Sequence, residues 1–263
     1  MRKLQFLLVA AVASALTALA LVAGLAEAGP AAPDNTEAPA VVGTEQDGQY
    51  LAAKDGEWAG TNPMSFTYQW QRCNSAGASC ADIGGATAKI YRAATADVGN
   101  RLRVQVTARN TAGSANANSQ PSDAVARPAG AQRLSDGRYS IPVTSVSMPD
   151  RLIVSGVEFA PTVLRSRAAF TGRFRVTDTR GYVVRDATVL VTGVPLGWIT
   201  QPPEVKTNPE GLVTMRLQPT RNLRLVRGGS MVMFIRARKE GENLLAGISS
   251  RRLVRVRTAR PGS

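Results

Sequence analysis

The chain has 263 residues, of which 44% are hydrophobic and 19% charged, and a formal net charge of +13. This length allows one large domain or two ordinary ones, and the composition excludes a disordered polyelectrolyte and a polytopic membrane protein. The sequence contains no histidine, which excludes Ser-His and Cys-His nucleophile pairs and the usual catalytic zinc sites. We therefore expect a non-catalytic binding or structural protein without a cofactor or a metal site.

The N-terminal segment has the three parts of a secretory signal peptide. A basic start at residues 1–3 precedes an apolar run over residues 4–25, and a small-x-small pattern ends at Ala28. We predict that residues 1–28 are a signal peptide cleaved after Ala28 and that the mature chain is secreted or held at the cell surface. Because the apolar run is long enough to span a bilayer, an uncleaved N-terminal membrane anchor is the alternative.

The rest of the chain divides into two β-rich regions. Residues 29–37 and 128–142 are rich in Pro, Ala and polar residues without a hydrophobic period, which predicts a flexible tether and a linker. Residues 38–127 and 143–263 consist of short alternating runs between Gly, Asn, Asp and Pro turns. The sequence therefore predicts an all-β fold with two tandem β-sandwich domains.

The first region contains five predicted strands: residues 49–53, 65–72, 89–93, a run through Leu102, Val104 and Val106, and residues 115–119. In the second of them, Phe66, Tyr68 and Trp70 alternate with polar residues and are expected to face the core.

Cys73 and Cys80 are the only cysteines. In an exported protein an oxidising environment favours a disulfide between them, which would close a short local loop. A redox or metal role is disfavoured because the spacing is not Cys-x-x-Cys and no third type of ligand lies nearby.

Ordered motifs specify many positions of the first region: Gly56-x-Trp58, Tyr68-Gln69-Trp70-Gln71-Arg72-Cys73, Cys80-x-x-Ile83-x-Gly85-Ala86-Thr87, Asp97-Val98-Gly99 and Leu102-Arg103-Val104-x-Val106. This series resembles the immunoglobulin-like repeat of bacterial extracellular proteins, which is common in secreted proteins of high-GC Gram-positive bacteria. The resemblance covers residues 38–127. It implies a β-sandwich that serves as a spacer or adhesive module, and it implies no activity.

The second region contains six predicted strands: residues 151–159, 168–177, 187–194, 212–217, 231–238 and 253–257. Its motifs are Val176-x-Asp178-x-x-Gly181, Ala187-x-Val189-x-Val191-x-Gly193 and Thr207-Asn208-x-x-Gly211-x-Val213. Their order is similar to that of invasin-type bacterial Ig-like domains, which again implies an Ig-like β-sandwich.

Positive charge is concentrated in the second region. Residues 129–263 carry 22 basic and 9 acidic side chains, whereas residues 29–128 carry 8 and 9. Arginines recur there at two-residue spacing, which places both guanidinium groups on one face of a strand. The pairs are Arg165 and Arg167, Arg173 and Arg175, Arg236 and Arg238, and Arg255 and Arg257.

On adjacent strands these pairs would form an arginine array that binds an anionic polymer or polysaccharide of the cell envelope. The alternative is that the arginines reflect a GC-rich genome and the need for polar residues on a wet strand face. We expect no specific nucleic-acid partner, since no aromatic residues interleave with the arginines to stack bases. Other surface proteins are a further expected class of partner.

Trp198 lies in a Pro-rich loop and is the expected exposed contact residue. It suggests a second hypothesis, an accessory carbohydrate-binding protein or a weak hydrolase of cell-wall glycan, which would need two of the nine acidic residues as a catalytic pair. Asp178 and Glu210 lie in predicted turns, where carboxylates are ordinary. We therefore assign no catalytic residue.

Overall fold

The computed structural model describes residues 29–242 and 247–260. Twenty strands lie in these residues: β1 Asp34–Glu37, β2 Ala40–Gly43, β3 Tyr50–Lys54, β4 Glu57–Ala59, β5 Ser65–Cys73, β6 Ala81–Asp82, β7 Ile90–Arg92, β8 Arg101–Asn110, β9 Gly113–Asn118, β10 Gln132–Arg133, β11 Tyr139–Pro142, β12 Leu152–Ala160, β13 Val163–Leu164, β14 Phe170–Asp178, β15 Val183–Arg185, β16 Thr188–Val194, β17 Val205–Lys206, β18 Leu212–Leu217, β19 Gly229–Arg238 and β20 Ser250–Thr258. Two short 3-10 helices, Thr95–Asp97 and Val143–Ser145, complete the described elements. The all-β prediction is confirmed, while the predicted signal peptide lies outside the described residues.

The first sandwich is formed by two sheets with the strand orders β2-β3-β7 and β6-β5-β8-β9. Its core draws Leu51 from the first sheet and Trp70, Leu102 and Val104 from the second. This division of consecutive strands between two sheets is of the immunoglobulin type.

Trp70 is the largest side chain of that core and is fully buried. Its indole Nε1 donates a 2.9 Å hydrogen bond to the Ala88 carbonyl, and its ring stacks on Tyr91 with centroids 5.4 Å apart. Phe66 and Tyr68 are partly buried against the same cluster. The predicted core face of β5 is therefore confirmed.

The disulfide between Cys73 and Cys80 is present, as predicted. Cys73 ends β5 and Cys80 precedes β6, the next strand of the same sheet. The bond therefore closes a local loop and does not join the two sheets.

The predicted tether at residues 29–37 requires a correction. Residues 34–37 form strand β1, which pairs antiparallel with β4. The side-chain amide of Asn35 donates hydrogen bonds from Nδ2 to the backbone carbonyls of Glu37 (2.8 Å) and Glu57 (3.0 Å). A four-residue edge strand needs only a backbone partner and no hydrophobic period, so composition did not reveal it.

The second sandwich has one sheet in the order β10-β11-β15-β14-β12, in which β18 also pairs with β14, and a second sheet in the order β13-β20-β19-β16-β17. Side chains of both sheets meet in its core; Phe174 and Val176 come from the first, Met233 and Ile235 from the second. The predicted sandwich is present, and its last strand is longer than predicted because β20 pairs with β19 along nearly its whole length.

The predicted linker at residues 128–142 also requires a correction. Residues 132–133 and 139–142 form β10 and β11, and β11 pairs parallel with β15 in the sheet of the second sandwich. Ile141 is fully buried in the core. These strands are too short and too rich in turn residues to show a hydrophobic period. No helix in residues 29–242 or 247–260 is long and apolar enough to cross a membrane.

Candidate functional site

The outer face of the β19–β20 sheet, the face turned away from the core, carries one of the predicted arginine pairs in exposed positions. Directly opposite residues of an antiparallel pair lie on the same face. Met231 and its partner Val256 are buried in the core, so the neighbouring pair of Val232 and Arg255 lies on the outer face. Arg257 lies two residues further on the same face, and both arginines are exposed.

Arg165 lies next to these two arginines. It directly follows β13, which pairs parallel with β20 so that Val163 lies opposite Arg257. Arg165, Arg255 and Arg257 line one hollow of about 400 Å³, together with Val163 and Ser230. No acidic residue lines it within the described part of the chain. We call this feature the arginine hollow.

Arg236 and Arg238 occupy the other end of the same outer face. The Nε–H of Arg238 donates a 3.2 Å hydrogen bond to the Glu204 carboxylate, and this contact raises the pKa of the guanidinium group. Arg236 is only 7% exposed, and its Nε and Nη2 have no hydrogen-bond partner among the described residues. Neither side chain therefore presents a free, accessible charge.

Arg173 and Arg175 lie on the other sheet. They point outward from β14, where Arg173 lies opposite Glu158 and Arg175 opposite Gly156. Since the two sheets pack with their inner faces together, these arginines are on the opposite side of the sandwich from Arg255.

The four pairs therefore do not all lie on adjacent strands, which was the condition for a single arginine array. Two arginines that are two residues apart on one strand share a face of that strand, as expected. However, β14 belongs to one sheet of the sandwich, and β19 and β20 belong to the other. Arg167 also departs from the pattern, because it lies in the loop after β13 and its Nη2 donates a 2.9 Å hydrogen bond to the Leu223 carbonyl.

Exposed apolar residues accompany the arginines, a feature that the sequence analysis missed. Leu253 lies on the outer face of β20, is 67% exposed, and is directly opposite Phe234. The sequence contained a signal for this, because Leu253 lies two residues before Arg255 and so shares its strand face. Arg252 is also exposed and so interrupts the alternation of buried and exposed residues along β20. Its Nη1 donates a 2.7 Å hydrogen bond to the Val154 carbonyl.

Trp198 differs from its predicted role as an exposed contact. The side chain is half-buried and packs against the core of the second sandwich. Leu196, in the same loop, is 78% exposed instead. Burying the apolar surface of an indole against core side chains is more favourable in free energy than leaving it exposed to water.

Acidic residues of the second sandwich are largely engaged in ion pairs. Asp178 accepts from Arg180 at 2.8 Å, Glu240 accepts from Lys206 at 2.7 Å, and Glu204 pairs with Arg238. The described residues contain no group of three acidic, cysteine or histidine side chains placed to hold a metal ion.

A buried polar joint connects the two sandwiches, and the sequence analysis missed it. The Asp47 carboxylate of the first sandwich accepts hydrogen bonds from the hydroxyls of Thr95 (2.9 Å) and Tyr182 (2.7 Å). Arg180 Nη1 donates to the Asp47 carbonyl at 3.0 Å. Burial and the hydrogen bond to Asp47 both raise the pKa of Tyr182.

Asp150 is the second anion of this joint. It is 6% exposed, forms an ion pair with Arg92 of the first sandwich, and lies 3.3 Å from Arg180 Nε. A cavity of about 230 Å³ beside these groups is lined by Asp47, Ser145, Asp150 and Arg180 among others. Most members lie in turns, where polar residues are ordinary, so the sequence carried no signal for the joint.

Comparison with known proteins identifies no family for this chain. No protein-family model and no curated protein matches the chain. Among solved structures, the chicken CNTN1 FN1-FN3 domains are 15% identical, with a TM-score of 0.32 and coverage of 89% of this chain and 68% of that one. The D00-D0 domain of Intimin is 12% identical, with a TM-score of 0.28 and coverage of 82% and 98%. Likeness at this level does not indicate a shared function.

Proposed function

We propose that the chain is an exported, non-catalytic protein of the cell surface or the extracellular space, built of two Ig-like sandwiches with a structural or adhesive role. In this proposal the second sandwich contacts anionic polymers of the cell envelope through its exposed arginines. The disulfide and the predicted signal peptide support export.

One observation carries the proposed contact with anions. Arg255 and Arg257 are exposed, lie side by side on one strand face, and make no hydrogen bond or ion pair within the described residues. A guanidinium group without an internal partner is available for an external carboxylate or phosphate. The concentration of basic residues in this half of the chain adds a long-range attraction to anionic surfaces.

Co-sedimentation of the chain from residue 29 onward with purified bacterial cell envelope tests the proposal. A fragment beginning at residue 143 would lose β10 and β11, so the chain is kept whole. We expect binding that falls steeply with salt, because salt screens exposed charges.

Two matched double variants locate the contact. Arg255→Gln/Arg257→Gln removes two exposed charges from the second sandwich, and Lys54→Gln/Arg109→Gln removes two from the first. We expect the first variant to weaken sedimentation and the second to leave it nearly unchanged. Absence of binding at low salt, or equal losses in the two variants, would contradict the proposal.

A further inference from the structure

We infer that one outer face of the second sandwich docks on the surface of an anionic lipid bilayer. Three adjacent strands, β16, β19 and β20, form this face, and none of the three contains an acidic residue. We call their outward-pointing side the mixed face, because it carries apolar residues and arginines together. The inference goes beyond the proposed contact with envelope polymers, since it gives a role to the apolar side chains as well as to the arginines.

Apolar side chains form two neighbouring rows across the mixed face. Leu253 lies opposite Phe234, and Val232 lies between Arg255 on one side and Val194 on the other. Leu253 is 67% exposed and Val194 is 43% exposed, while Phe234 and Val232 are partly exposed. Opposite side chains lie about 5 Å apart and successive ones on a strand face about 7 Å apart, so the four apolar residues form one patch.

Two arginines border this apolar patch. Arg255 lies directly opposite Val232, and Arg257 is two residues further on the same strand face. Both are exposed and make no hydrogen bond or ion pair within the described residues. Because a guanidinium group ends a long apolar stem, it can reach the phosphates of the headgroup layer while neighbouring apolar side chains enter the boundary with the acyl chains.

This combination favours a bilayer over other occupants of an exposed apolar face. A symmetric second copy of the chain would place its own Arg255 and Arg257 in the same interface, and the three strands supply no carboxylate to offset the repulsion. A polysaccharide or another polyanion supplies negative charge but no apolar layer for Leu253. An anionic bilayer supplies both, with phosphates at its surface and hydrocarbon beneath them.

Partition into vesicles tests the inference. The chain from residue 29 onward is mixed with sucrose-loaded vesicles of phosphatidylglycerol and phosphatidylcholine in equal parts, or of phosphatidylcholine alone, and sedimentation gives the partition coefficient. Each arginine near an anionic surface strengthens binding about fivefold, so we expect partition into the anionic vesicles to be at least about tenfold stronger. Absence of partition into the anionic vesicles would overturn the inference.

A pair of apolar variants tests the contribution of the patch. Leu253→Ser removes its most exposed side chain, and Ile90→Ser is the matched control, because Ile90 lies on β7 of the first sandwich and is 59% exposed. We expect Leu253→Ser to weaken partition about fivefold at low and at high salt, since salt does not screen the burial of apolar surface. Ile90→Ser should change little, and equal effects of the two variants would overturn the mixed face as the docking surface.

A pair of charge variants tests the contribution of the arginines. Arg255→Gln/Arg257→Gln removes the two charges beside the patch, while Arg173→Gln/Arg216→Gln removes two exposed charges from the other sheet of the same sandwich. We expect the first variant to lose at least about tenfold in partition and the second to lose much less. Equal losses would mean that the net charge alone attracts the chain, and would overturn the docking geometry.

An introduced tryptophan reports directly which face enters the bilayer. Vesicles with brominated acyl chains quench tryptophans that reach the hydrocarbon, so Leu253→Trp should be quenched more than the wild type, whereas Ile90→Trp should show no such gain. Absence of additional quenching in Leu253→Trp would contradict docking through the mixed face. Circular dichroism of each variant confirms that the fold is retained.

Sedimentation with cell wall from which lipid has been extracted separates this inference from the proposed function. Binding to the extracted wall without partition into vesicles would overturn the inference and leave the polymer contact standing. Partition into vesicles without binding to the extracted wall would support the inference and contradict the polymer contact.

Discussion

Tyr182 and Asp47 lie 135 residues apart in the chain and meet at the junction of the two sandwiches, where the Tyr182 hydroxyl donates a 2.7 Å hydrogen bond to the Asp47 carboxylate. Tyr182 is 5% exposed and Asp47 only 1%. A buried carboxylate must be compensated by hydrogen bonds or an opposite charge. The two sandwiches supply these partners to each other, so their relative orientation is coupled to the satisfaction of buried polar groups.

Removing the Tyr182 hydroxyl should weaken this coupling. In Tyr182→Phe the buried Asp47 carboxylate keeps Thr95 but loses its partner from the second sandwich. Hydrogen bonds to charged groups contribute about 1.5–3 kcal/mol, so we expect a loss of that order in the free energy of unfolding, measured in urea. Tyr50→Phe is the control, because Tyr50 is 55% exposed, and it should change little.

The same tyrosine should make stability depend on alkaline pH. Burial and then the hydrogen bond to Asp47 raise the pKa of Tyr182 in the folded chain, whereas a tyrosine in the unfolded chain ionises at about pH 10. Above that pH the unfolded state releases a proton that the folded state retains, so the free energy of unfolding should fall as pH rises. Urea titrations between about pH 9 and 11 measure the slope.

Tyr182→Phe should reduce this alkaline slope without abolishing it. The pKa of Tyr91 is also raised by burial and by its hydrogen bond to Asp97, so part of the dependence will persist. Spectrophotometric titration of the phenols should show one fewer late-ionising tyrosine in the variant. An unchanged slope in Tyr182→Phe would mean that its hydroxyl is not held in the folded joint.

Arg180 is expected to be the most sensitive residue of the joint. Its guanidinium group lies 2.8 Å from Asp178 and 3.3 Å from Asp150, and all three side chains are nearly buried. Arg180→Met would leave two buried carboxylates without their shared cation, which typically costs about 3–5 kcal/mol. Urea unfolding measures this loss, and small-angle scattering should show a longer maximum dimension as the sandwiches separate.

Arg138→Met provides the comparison for Arg180→Met. Arg138 pairs with Asp136 on the surface, where solvent screens the interaction, and its removal should change stability little. Similar losses in the two variants would contradict a special role for the joint.

The disulfide should stabilise the first sandwich by a modest amount. Cys73 and Cys80 are seven positions apart, and the chain-entropy model gives a loop of this size about 2.5 kcal/mol. Cys73→Ser/Cys80→Ser should therefore lower the unfolding free energy by about that amount. Sedimentation with the cell envelope should stay unchanged, because Arg255 and Arg257 lie in the other sandwich. A loss of sedimentation would indicate that the two sandwiches do not fold independently.

The sequence by itself determined the local features of this protein. Alternation of apolar and polar residues located the long strands, and it placed Trp70 in the core. The pairing of Cys73 with Cys80 followed from the absence of any other cysteine. Each of these features depends on the residue types within one short segment, and a two-residue period shows which side chains share a strand face.

Only the tertiary structure decided which distant residues meet. It separated Arg173 from Arg255 by placing their strands in different sheets, and it brought Arg165 to the hollow through the pairing of β13 with β20. It also joined Asp47 to Tyr182. Strand order and the contact between sandwiches result from non-local pairing and burial, which leave no periodic trace in the segments that they connect.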